Sequence, residues 1–117
     1  MSPMSLILTQ AMAVGQLSEI AKQHFSDLVK AVVDVELGII TLDFELHVDG
    51  EQILLDQGSS QGNLWGINLY PDLPKGERIE FDSMINVRPQ HNNRSRNVED
   101  EKIRDQIRVL VNGLILD

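Results

Sequence analysis

Two groups of residues in this chain have side chains suited to chemistry. The first is Glu45 and His47, which alternate with Asp43 along one stretch, together with Asp82 further on. A histidine beside carboxylates is the raw material of general acid–base catalysis. On a strand, Asp43, Glu45 and His47 would point the same way, with the ends of the row about 13 Å apart. That span is too long for one ion with ligand bonds of roughly 2 Å. A metal would need an acid from a neighbouring strand, such as Asp82 or Glu80. No HExxH spacing occurs, so no metal or other cofactor is expected. The loop serines lack a GxSxG elbow, which leaves a serine triad unsupported.

The second group is the segment Arg88-Pro-Gln-His-Asn-Asn-Arg-Ser-Arg96. It packs three arginines and His91 into nine residues of a chain whose net charge is −8. Residues 27–82 alone carry twelve acids and three bases. Guanidinium forks match carboxylate or phosphate oxygens. Arg88, Arg94 and Arg96 would grip such a group, with His91, Asn86 and Asn93 orienting it. The competing reading is internal: the arginines bridge to Glu80, Asp82 and nearby acids. The leading expectation is a non-catalytic binder of a small anionic ligand or acidic partner, abolished by Arg94→Ala without unfolding. One alternative is a small hydrolase-like enzyme, metal-assisted or not, using His47, Glu45 and Asp82. Another is a homo-oligomeric module, expected as a homodimer, in which the apolar arm Met4 to Leu8 pairs across a subunit edge.

Composition removes several classes. The negative charge disfavours a nucleic-acid binder and docking on an anionic membrane. No run approaches the roughly 20 apolar residues of a membrane span. There are no cysteines, hence no disulfides or thiolate metal sites, and a reducing, cytoplasmic setting is expected. The N-terminal residues imitate a secretory signal. They lack its basic start, however, and their apolar stretch is short.

The elements that must position these groups follow from periodicity. With 117 residues, one domain is expected. Residues 1–16 read as an apolar arm or strand with a connector, and 17–117 as the domain. Leu17, Ile20, Ala21, Phe25 and Leu28 recur at helical spacing over about 16–28. Val29 to Leu37 and Ile40 to Val48 alternate around Gly38, as a hairpin does. A two-residue turn at Leu37-Gly38 would pair Glu36 with Ile39 and set Lys30 opposite Glu45. Asp49 reads as the N-cap of a short helix over 50–57, with Gln52 completing a capping box. Strands are predicted over 64–70 and 78–88, with Trp65 in the core or an interface. A final helix is predicted over 99–115. The fold class is α+β: a two-layer sandwich with a largely antiparallel four- to five-stranded sheet and two main helices on one face. The opposite face would then hold Lys30, Asp34, Glu36, Thr41, Asp43, Glu45, His47, Asn68, Tyr70, Glu80, Asp82, Asn86 and Arg88.

Several phrases are shared with a known family. They include Lys30-Ala31-Val32-Val33-Asp34-Val35-Glu36 with Gly38, and Glu45-Leu46-His47 with Asp49. Leu64 to Pro71, Ile79 to Pro89, and Asn93-Arg94-Ser95-Arg96 with Val98-Glu99-Asp100 complete the set. From about residue 17 onward the chain resembles a family of short bacterial and archaeal proteins classed as a conserved domain of unknown function. The resemblance implies a stand-alone cytoplasmic protein and brings no activity, substrate or cofactor.

Overall fold

Alternating apolar residues build the centre of the molecule. The computed structural model describes residues 6–117, so Met4 and Ser5 of the expected arm lie outside the described residues. The main sheet contains β1 (Leu6–Leu8), β3 (Val29–Asp34), β4 (Ile39–Leu42), β5 (Leu64–Leu69) and β6 (Ile79–Glu80). Its order is β1-β4-β3-β5-β6, and every neighbouring pair is antiparallel. A second pair joins β2 (Met12–Ala13) to β7 (Ile115–Leu116) in parallel, tying the two ends of the chain together.

One face is apolar. Val29, Ala31 and Val33 of β3 alternate inward with Ile40 and Leu42 of β4 and Trp65, Ile67 and Leu69 of β5. Helices α1 (Val14–Gln23) and α3 (Glu101–Leu114) cover this face with Leu17, Ile20, Ala21, Ile107 and Val111. The fold is therefore α+β, with the two main helices on one face. The opposite face carries a cover of its own. Helix α2 (His47–Asp56) packs there with Leu54 against Val32 and Leu64, joined by Phe44.

Four local expectations are corrected. The β3–β4 hairpin pairs Asp34, not Glu36, with Ile39. The Asp34 carboxylate accepts from the backbone N–H groups of Glu36 and Leu37, both at 2.9 Å, and Gly38 N–H donates to Asp34 O at 2.9 Å. Those bonds pull Val35 to Gly38 into a four-residue turn, closed by Gly38 at φ +70°. Strand β4 ends at Leu42, because Asp43 adopts φ +64° and turns the chain out of the sheet. Asp49 is the third residue of α2, not its N-cap. Leu46 caps the helix, and its N–H donates to Asp49 Oδ2 at 3.2 Å. Of the strand expected over 78–88, Ile79–Glu80 pairs with β5; Met84–Asn86 forms a 3-10 turn, and Arg88 bridges to Asn93.

The N-terminal strand also finds its partner within the chain. Leu6, Ile7 and Leu8 pair with Leu42, Thr41 and Ile40 of β4. These residues form an edge strand of the main sheet.

Candidate functional site

The polar face is organised around Gly66 in the middle of β5. A Cβ at Gly66 would lie 2.5 Å from Ser83 Oγ and 2.6 Å from Ser83 Cβ, so only glycine lets the 83–86 turn seat flush on the strand. Asn86, fully buried, then uses its side chain as a strand would use its backbone. Its Oδ1 accepts from Gly66 N–H at 2.8 Å, and its Nδ2 donates to Gly66 O at 2.9 Å. The same Nδ2 donates to Arg96 O at 2.9 Å, and Ser83 N–H donates to Arg96 O at 3.1 Å. Asn93, also buried, braces the returning loop. Its Nδ2 donates to the carbonyls of Asn86, Ser95 and Asn97, and its Oδ1 accepts from Glu99 N–H.

Arg88 is buried too. Its guanidinium donates to the carbonyls of Gln61 and Leu64, and lies 4.4 Å from the Trp65 ring centroid. Desolvation is the main influence on this group and lowers its pKa, while the negative charge of Glu51 raises it. Arg88, Asn86 and Asn93, expected among the ligand-gripping residues, thus spend their polar groups on the backbone. His91 and Arg94 are exposed on the loop. Of the three arginines, Arg96 is the one delivered to a groove.

That groove holds about 300 Å³ between the first turn of α2 and the 82–85 turn. Lys30, His47, Asn68, Asp82 and Arg96 line it. Arg96 Nε donates to Asp82 Oδ1 at 2.6 Å across a partly exposed ion pair. Lys30 Nζ donates to Glu45 O at 2.9 Å and, among the described residues, forms no ion pair. Asn68, 7% exposed, sits opposite Lys30 in the β3–β5 ladder. Its Nδ2 donates to Glu80 Oε1 and Asp82 O, and its Oδ1 has no partner among the described residues.

His47 opens α2 and donates from Nε2 to Ile67 O at 2.8 Å, an arrangement that assigns the Nε2–H tautomer. Burial pushes its pKa below the ordinary 6.5; the carbonyl bond and the charge of Asp82 oppose that shift, and the charges of Lys30 and Arg96 add to it. The net shift favours the neutral imidazole. The Phe44 ring meets it edge-on at 6.2 Å.

The three residues expected to cooperate in acid–base chemistry are not brought together. His47 and Asp82 line this groove, whereas Glu45 lines a neighbouring one of about 270 Å³ with His24 and Asp43. The cause is Asp43, whose left-handed backbone breaks the strand row that would have aligned Asp43, Glu45 and His47. Among the described residues no three histidine or acidic side chains gather as metal ligands.

Sequence reasoning missed the hydrogen bond of His24 with Asp43, whose Nε2 and Oδ1 are 2.7 Å apart. It also missed the apolar rim of the groove, formed by Leu46, Val48 and Met84. Asp49, three residues after Leu46, was the available signal for a helix beginning at His47. Nothing local marked Met84, whose placement depends on Gly66.

Fold and groove together define a small α+β protein with an open cleft of mixed polarity beside the first turn of α2. The chain belongs to the family described as "Protein of unknown function (DUF5674)", whose model matches residues 6–114. The match takes in β1 and the connector before residue 17 as well as the domain that follows. No curated protein and no solved structure matches the chain. Among the described residues, no helix is long and apolar enough to cross a membrane.

Proposed function

We propose that this protein is a non-catalytic binding protein whose groove takes a small anionic ligand. The observation that carries this reading is the convergence of Lys30, Arg96 and the first turn of α2 on one cleft. The first N–H groups of a helix have no intrahelical acceptor, and the helix dipole adds positive potential there. Asp82 is the single acid lining the cleft, and it is already paired with Arg96. The Arg88–Arg96 segment contributes through Arg96, while its buried residues hold that arginine in place. An acidic partner protein would use the same charges. Binding without catalysis is favoured because the Nε2–H of His47 is engaged by a backbone carbonyl and Glu45 lies outside the groove. The absence of cysteine supports a cytoplasmic setting.

A thermal-shift plate of phosphate, nucleotides, small carboxylates and divalent metals tests this. A ligand at 100 times its Kd adds roughly 2.7 kcal/mol to stability. The expected result is a shift with anions that Arg96→Ala removes. A shift with metals alone would instead favour the hydrolase-like alternative.

A further inference from the structure

The large hydrophobic side chains left in solvent are not spread evenly around this groove. Leu46 is 56% exposed, Val48 52% and Met84 66%, and all three line the same cleft. Leu46 and Val48 flank His47 at the start of α2. Met84 stands on the turn that Gly66 and Asn86 clamp, and that turn also fixes the backbone of Arg96. Met84 and Arg96 are therefore held by the same clamped turn, and Leu46 and Val48 face them from α2.

The charge balance is small. Lys30 and Arg96 face one acid, Asp82, with Glu80 one step behind, bonded to Asn68. The whole chain is at −8. A single negative charge suits that balance better than a phosphate dianion does. A volume near 300 Å³ is at the lower end for small-molecule pockets, which span about 300–1,000 Å³.

We propose that the ligand is a short-chain aliphatic monocarboxylate, held by Lys30 and Arg96 at the start of α2, with its chain on Leu46, Val48 and Met84. This rests on the anion-binding reading above and goes further by naming the ligand class. Calorimetric titration of the full chain with phosphate, acetate, butyrate and hexanoate tests it. A fully buried methylene tightens binding roughly fourfold, and in an open cleft each added pair should tighten it by about threefold or more. V48T/M84Q, two near-isosteric changes at exposed positions, should flatten the series, whereas Arg94→Ala, outside the groove, should leave it as in wild type. Arg96→Ala should weaken every member.

Circular dichroism and Tm confirm that each variant is folded. A flat series in wild type, or phosphate bound more tightly than hexanoate, overturns this inference and leaves the anion reading standing. A chain-length dependence that survives V48T/M84Q, or hexanoate binding indifferent to Arg96→Ala, overturns it as well. No binding of any anion overturns both.

Discussion

The two faces of the sheet are held by different physics. Between the sheet and helices α1 and α3, sixteen buried hydrophobic residues among those described form one cluster. Under α2, among the described residues, there are four, and around them sit buried Asp34, Asn68, Ser83 and Asn86. The first face rests on area removed from water, which is non-directional. The second rests on side chains bonded to backbone groups at fixed distances and angles, which is directional. Directional bonds place a side chain such as Arg96 reproducibly, and the groove lies on that face.

Substitutions on each side can break the comparison. Ile107→Ala, in the apolar layer, should cost about 4 kcal/mol by urea denaturation. It should leave anion affinity unchanged wherever the protein is folded. Asn86→Ala should cost about 3 kcal/mol, because it orphans the N–H and C=O of Gly66. It should also lower anion affinity by releasing Arg96; if it behaves like a surface change, the clamp is not what holds this face. Gly66→Ala should cost about 2 kcal/mol through overpacking against Ser83, read as a fall in Tm. Arg96→Ala removes a half-exposed ion pair worth under about 1 kcal/mol, yet should abolish the thermal shift with anions. Arg94→Ala should change neither Tm nor that shift, which separates the two arginines.

The smallest effect is a pH slope. The folded state holds the pKa of His47 below 6.5, so the unfolded chain takes up the proton first. The stability is fully present above about pH 6.5 and is lost as pH falls toward the lowered folded value. His47→Gln keeps an amide donor for Ile67 O and should remove this slope when Tm is compared at pH 7.5 and pH 5.5. An unchanged slope would assign it to other groups.

Much of the sheet was legible. The alternation of Lys30, Val32, Asp34 and Thr41 against Ala31, Val33, Ile40 and Leu42 sorts the two faces correctly, since strand periodicity is a property of each strand alone. The hairpin register was not legible from that pattern. A shift of two residues preserves every inside–outside assignment. The choice fell to Asp34, whose carboxylate bonds within the turn and also accepts from Ser59 Oγ at 2.7 Å, twenty-five residues away. The candidate site shows the same limit. Asp82, His47, Arg96 and the polar face could be named in advance. That Arg88 would turn inward over Trp65, or that His47 would part from the row of Asp43 and Glu45, could not.

Residue types and their periods determined the α+β class, the apolar layer, the excess of negative charge and the cluster of arginines that interrupts it. Tertiary structure alone decided which arginine is available. Guanidinium, amide and carboxylate groups satisfy whichever partner the fold brings within about 3 Å. Here distant backbone carbonyls claim Arg88, Asn86 and Asn93, and leave Arg96 and Lys30 at the groove.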